Sequence, residues 1–165
     1  MDFPKRKPHR LSEYNYKNGA YFVTVCTDKR KPILSRIVVG QGLALAVPEL
    51  TAYGKIVEKQ LLGLETRFHG LRIDKYVIMP NHIHAIITIE NPTAAGPRPC
   101  PTVSSVVCAF KSLSTLECKK RYPIEKIFQN SYYDHIIRSQ NDYDEIWEYI
   151  DNNPQKWELD KLYIL

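Results

Sequence analysis

Hydrophobic and polar positions along this chain follow two different periods, and the changes of period mark out its elements. Residues 20–27 (Ala-Tyr-Phe-Val-Thr-Val-Cys-Thr) are aromatic and β-branched and predict a strand. A basic turn follows at Asp28-Lys29-Arg30-Lys31-Pro32. Residues 33–47 hold to neither period, and Gly40 and Gly42 predict a loop or a short hairpin there. From 48 to 68 the spacing is helical, with Val57, Leu61, Leu62 and Leu64 near one face and Gly70 closing the helix. Residues 71–79 and 82–90 predict two more strands, joined by a hairpin through Pro80 and Asn81. Residues 91–101 are too rich in proline for regular structure and predict a loop. A second helix is expected over 102–121, burying Val103, Val106, Val107, Phe110, Leu113 and Leu116. An extended segment over 127–138 and a third helix over 142–152 complete the chain, the helix being stopped by Asn153-Pro154.

The order is strand, helix, strand, strand, helix, strand, and then an extra helix. That order predicts an α+β chain of the ferredoxin-like, split βαβ kind: an antiparallel sheet with helices on one face and an additional C-terminal helix. With 165 residues of which 44% are hydrophobic, one domain with a genuine core is expected over 1–165, preceded by a polar, basic arm at 1–18. The basic N-terminus lacks an apolar stretch behind it, so it does not read as a secretory signal. No run approaches the roughly 18 apolar residues that span a bilayer, and a cytoplasmic protein with no membrane partner is expected. Cys26, Cys100, Cys108 and Cys118 form no Cys-x-x-Cys pair, which argues against a zinc ribbon. They are expected to be free thiols, buried or half-buried.

The net charge of +5 favours a polyanionic partner. The basic residues are grouped. Lys5, Arg6, Lys7, His9 and Arg10 form one cluster, Lys29, Arg30 and Lys31 a second, and Lys111, Lys119, Lys120 and Arg121 a third, with Arg138 close to the last helix. Such clusters suit phosphate tracking, although each also reads as ordinary solvated charge. Tyr14, Tyr16, Tyr132 and Tyr133 are candidates to stack on unpaired bases.

The candidate chemistry lies on the third strand. Side chains alternate across a sheet, so Ile83, Ala85, Ile87 and Ile89 face one way and His82, His84, Ile86 and Thr88 the other. Two imidazoles therefore project from one face, a pattern suited to a divalent metal and equally to two surface histidines without one. The last helix carries an apolar stripe at Tyr143, Ile146, Trp147 and Ile150, with Tyr149 on its flank. Of Tyr132, Tyr133, Tyr143 and Tyr149, only Tyr149 has an amide four residues on, at Asn153. An amide oxygen can join two histidines around a metal, and a phenol beside that metal can attack a bound phosphate. A helix-flank tyrosine packed at a sheet edge is the competing reading. Because Asn153 precedes Pro154, its backbone is expected to lean away from the helical region. His135 reads as a structural hydrogen-bonding residue.

At these residues the chain resembles the single-tyrosine HUH transposases (IS200-like), and among them the REP-associated tyrosine transposases. The histidine motif is His82-Ile83-His84 within Val77-Ile78-Met79-Pro80-Asn81-His82-Ile83-His84. The tyrosine motif, Tyr-Ile-x-x-Asn-Pro, is Tyr149-Ile150-Asp151-Asn152-Asn153-Pro154, with Trp157 beyond it. Ala20 to Val25, Phe110-Lys111-Ser112 and Tyr132 to Arg138 also match, so the likeness runs from about residue 10 to about 158. Phe128-Gln129-Asn130 departs from the Trp-Gln-Arg expected before Tyr132. The resemblance implies that Tyr149 is the nucleophile and leaves a 5′-phosphotyrosine and a free 3′-hydroxyl. It implies that His82, His84 and Asn153 hold Mg²⁺ or Mn²⁺, and that the substrate is single-stranded DNA near hairpins of short palindromic repeats. It further implies a bacterial, nucleoid-associated protein acting as a monomer or a homodimer. The alternatives are a domesticated, non-catalytic protein that binds DNA or RNA hairpins, and a metal-dependent hydrolase without a covalent intermediate.

Overall fold

A computed structural model describes residues 19–39, 45–90 and 101–163. The basic arm with Lys5, Arg6, Lys7, Arg10, Tyr14 and Tyr16 lies outside these residues, as do Gly40, Gly42, Cys100 and most of the proline-rich segment. Four strands form one antiparallel sheet: β1 (Gly19–Cys26), β4 (Leu71–Ile78), β5 (His82–Ile89) and β6 (Tyr133–Ile137), in the order β4-β5-β1-β6. Between β1 and the first helix sits a separate hairpin, β2 (Ser35–Val39) with β3 (Ala46–Leu50). The helices are α1 (Ala52–Leu62), α2 (Leu64–Arg67), α3 (Val103–Lys119) and α4 (Gln140–Asn152). Leaving the hairpin aside, the chain runs β-α-β-β-α-β with its first and third core strands at the centre of the sheet. This is the expected split βαβ architecture.

Both central strands are apolar on the face toward α1 and α3. Tyr21, Val23 and Val25 of β1 and Ile83, Ala85, Ile87 and Ile89 of β5 meet Val57, Leu61, Val103, Val106, Val107 and Phe110 in the main core. The opposite face carries a smaller cluster, in which Ile86, Val77 and Met79 pack against Ile150, Ile146 and Tyr143 of α4. The strand pairing fixes this division: β1 and β5 are in register from Gly19↔Ile89 to Cys26↔His82, so a one-residue slip would put both histidines into the main core.

Several expectations are corrected. The first helix begins at Ala52, not at 48, because Pro48 pairs with Ile37 in the hairpin and Thr51 caps the helix by accepting from the Gly54 amide. Gly54 is needed there, since a Cβ would sit 2.0 Å from the Leu34 carbonyl oxygen, on which the helix rests. Leu62 and Leu116 are exposed, and Ser114 and Cys118 take buried places on α3 instead. Cys108 is exposed rather than buried, while Cys26 and Cys118 are free and at least half-buried. α4 starts at Gln140, two residues early, because the Ser139 hydroxyl accepts from the Asp142 amide.

Candidate functional site

The turn before β5 is fixed by backbone pairing. The Asn81 carbonyl accepts from the Thr27 amide at 2.9 Å and from its hydroxyl at 3.0 Å, and Leu34 N–H donates to the Pro80 carbonyl at 3.0 Å. His82 and His84 follow on the face away from the main core, both buried, with ring centroids 4.5 Å apart. Each ring is held through Nδ1. His82 Nδ1 lies 2.8 Å from Asn81 Oδ1, and the Asn81 amide nitrogen donates to the Leu162 carbonyl at 2.7 Å. That second bond orients the amide, so His82 must donate from Nδ1 and keep a lone pair on Nε2. His84 Nδ1 meets Thr24 Oγ1 at 2.8 Å across the strand pair, and Phe22 stacks on the ring at 5.1 Å. Burial pushes the His82 pKa down to about 4, outweighing the opposing carboxylate of Asp160. Burial, with help from His82, also holds His84 well below the usual range. Both rings are thus neutral near pH 7, the form that binds metals.

α4 brings Tyr149 over this pair. Its hydroxyl lies 3.4 Å from His84 Nε2, and the side chain is 46% exposed toward an open groove of about 890 Å³. Burial, and then the Asp160 carboxylate, raise the phenol pKa above 10. The helix is tied to the sheet by Lys75 of β4, which pairs with Asp151 and sits 4.6 Å from the Trp147 ring. At its other end Asp142 pairs with His135 of β6 at 3.0 Å, the structural role expected of that histidine.

The placement of Asn153 differs from the pre-proline expectation. It remains helical, at φ −59 and ψ −42. Pro154 then opens a 3₁₀ segment, Pro154–Leu159, whose turn is closed by the Lys156 amide donating to the Asn153 carbonyl at 3.1 Å. Proline needs no amide donor at the start of a helical turn, and the buried Asn153 side chain adds packing that offsets the backbone bias. The Asn153 amide nitrogen donates to Asp160 Oδ2 at 2.9 Å, leaving Oδ1 pointing inward. His82 Nε2 and Asn153 Oδ1 are buried without a hydrogen-bond partner among the described residues. Two unsatisfied acceptors beside His84 Nε2 are the donor set that a divalent cation fits.

The chain after α4 folds back over the histidines. The Trp157 ring is 5.8 Å from His82, and Asp160 Oδ2 is 3.9 Å from His82 Nε2. Asn81, Thr24 and Asp160 were not singled out from the sequence. Asn81 lies inside the histidine motif, where an amide next to a ligand-type histidine is the available signal; Asp160 follows an irregular turn and has none.

Lys29, Arg30 and Lys31 leave the His82 end of β1 in a tight turn, with Lys29 and Arg30 both left-handed at φ 53 and 54. The Arg30 charge helps depress the His82 pKa, which puts Arg30 within electrostatic reach of the site. Lys111 and Lys119 share a second groove with Lys126, and Gln129 lines both this groove and the first. Lys120 is turned to Glu117 at 2.6 Å, and it and Arg121 are not among the lining residues. Arg138 is exposed just before α4, and Tyr132 and Tyr133 line the groove of Tyr149. Lys156 and Lys161 line that groove as well.

The backbone architecture has a solved counterpart: a REP-associated tyrosine transposase, determined bound to a REP hairpin, superposes with a TM-score of 0.65 at 22% identity, over 92% of this chain and 76% of that one. The family model described as transposase IS200-like matches residues 15–153, so the chain belongs to the IS200-like transposase family, a class of DNA-processing proteins. An uncharacterized protein of Haemophilus influenzae is 34% identical over 96% of this chain and 93% of its own length. No helix among the described residues is long and apolar enough to cross a membrane.

Proposed function

We propose that this transposase cuts and rejoins single-stranded DNA at hairpin-forming palindromic repeats, with Tyr149 as the nucleophile. The observation that carries this reading is the Tyr149 hydroxyl 3.4 Å from His84 Nε2, beside two buried neutral imidazoles and an inward amide oxygen. Tyr149 Oη attacks the scissile phosphorus as the bond to the 3′ oxygen breaks. A 5′-phosphotyrosine and a 3′-hydroxyl result, the proton lost by the phenol being matched by the one gained at the 3′ oxygen. Reversal by another 3′-hydroxyl rejoins DNA without an external energy source. His82, His84 and Asn153 are the residues that would hold Mg²⁺ or Mn²⁺, which when bound supplies a Lewis acid for the phosphate oxygens. The Nδ1 bonds to Asn81 and Thr24 keep both imidazoles facing inward.

The open groove gives a single strand access to Tyr149, with Tyr132 and Tyr133 as stacking surfaces. Lys29, Arg30, Lys31 and Arg138 would hold phosphates near the cut. Lys111 and Lys119 in the adjoining groove, and Lys120 and Arg121 at the end of α3, would hold the hairpin stem, with Lys5, Arg6, Lys7 and Arg10 of the arm contributing beyond the described residues. The hairpin bound by the solved relative supports this substrate class. Tyr149 lies against the histidine pair of its own chain, an arrangement open to a monomer or a homodimer. The test is the chemistry of the ends. With a hairpin oligonucleotide and Mn²⁺, the released fragment should be extendable by a polymerase, as a 3′-hydroxyl is, and Tyr149→Phe should release none. A 3′-phosphate, or cleavage by Tyr149→Phe, overturns the reading.

A further inference from the structure

We infer that Asp160 is a further ligand of the divalent cation held by the histidine pair, so that the chain beyond α4 completes the centre. This rests on the metal-site reading above. Asp160 lies seven residues past the end of the family match at residue 153, on no motif. Its carboxylate is nonetheless brought to the site: one ligand atom each from His82, His84 and Asp160 all fall within 4.8 Å of one another. The Asp160 side chain is only 4% exposed and has no lysine or arginine ion pair among the described residues. Its bonds are to neutral donors, the Asn153 amide nitrogen at 2.9 Å and the Leu162 backbone N–H at 2.7 Å. A buried carboxylate without a positive partner is costly.

Asp160 Oδ2 faces His82 Nε2 at 3.9 Å, and that nitrogen, like the nearby Asn153 Oδ1, is a buried acceptor without a donor. Acceptors that converge in this way repel one another unless a cation lies among them. The segment is also anchored for such a role. Leu162 receives the Asn81 amide through its carbonyl and donates its own N–H to Asp160 Oδ1, so the residue that orients His82 also fixes the turn carrying Asp160. A carboxylate added to two imidazoles and an amide lowers the net charge of the loaded centre. It also shifts the set toward oxygen donors, which suit Mg²⁺ and Mn²⁺ better than imidazoles alone.

The test is Mn²⁺ binding to the full chain without DNA, read from the paramagnetic resonance signal of free Mn²⁺. Asp160→Asn should bind about tenfold more weakly or worse, and so should Asp160→Ser. Both should melt metal-free within a few degrees of wild type. Asp160→Asn made in an Asn153→Ala background separates a ligand from a residue that only orients the Asn153 amide. A ligand costs a similar factor in both backgrounds, whereas an orienting residue costs nothing further once Asn153 is gone, and that second result overturns the inference. Affinity within twofold of wild type for Asp160→Asn also overturns it, and leaves the Tyr149 reading standing if adducts still form. A wild-type protein that binds no Mn²⁺ removes this inference together with the metal-site reading on which it rests, and leaves Tyr149 to be judged by the adduct.

Discussion

The two faces of β5 are built from the same strand with the same burial and do opposite things. Ile83, Ala85, Ile87 and Ile89 lie in the main core under α1 and α3, where packing is apolar and each side chain needs only volume. His82 and His84 are equally buried on the other face, yet their surroundings are polar groups in fixed orientation: Asn81, Thr24, Asn153 and Asp160. Burial stabilises the first face by removing apolar surface from water. On the second it costs stability, because two titratable rings and the unpaired Asn153 Oδ1 are taken from solvent. Under the proposed function the second face is organised for binding rather than for folding, with the first face supplying the stability that permits it.

The sharpest way to break this comparison is to damage each face in turn. Ile87→Ala should lower unfolding free energy by about 2–5 kcal/mol while leaving cleavage per folded molecule unchanged. His82→Ala should abolish cleavage while hairpin binding survives. Melting curves, gel-shift binding and cleavage on both variants check this, and loss of binding in His82→Ala equal to its loss of cleavage would make the histidine structural. A smaller effect is expected from Asn81→Ala. It leaves both rings in place but frees His82 Nδ1 to change tautomer, and metal affinity should fall about 10–100-fold. Calorimetric titration with Mn²⁺ measures it, and an unchanged affinity would mean that the Asn81 bond does not matter.

The smallest effect is on stability against pH. In the folded protein His82 titrates near 4 and His84 well below the usual 6.5. The unfolded chain therefore takes up protons between about 6.5 and 4 that the folded chain does not, and the metal-free protein loses stability as pH falls through that window. Above about 6.5 both states are neutral and the pair contributes no slope. Melting temperatures of wild type and His84→Gln between pH 7.5 and 4.5 should diverge on acidification, with the wild type falling faster. Parallel curves would show that His84 is not held neutral by burial.

Much of this division was legible in the sequence, because strand alternation is a rigid rule. It put Ile83, Ala85, Ile87 and Ile89 on one side of β5 and His82, His84 and Ile86 on the other. The four-residue spacing from Tyr149 to Asn153 gave the relation of phenol to amide, since α4 stays helical to its last residue. Local rules failed where tertiary packing decided the outcome. The bias against a helical residue before proline gave way at Asn153, whose side chain is buried and tied to Asp160. Helical spacing could not tell which of Leu61 and Leu62 would point inward, and it placed Leu116 in the core, where the structure leaves it exposed. Asp160 was out of reach, because its position depends on an irregular turn and on hydrogen bonds spanning about half the chain.

The central claim is that Tyr149 forms a covalent bond to DNA. Wild-type protein incubated with a 5′-labelled or 3′-labelled hairpin strand and Mn²⁺, then boiled in detergent, should retain label only when the 3′ side of the cut is labelled. Mass spectrometry should place the nucleotide on the peptide containing Tyr149. An adduct on another tyrosine, an adduct that persists in Tyr149→Phe, or cleavage with no adduct at any time point would contradict the account.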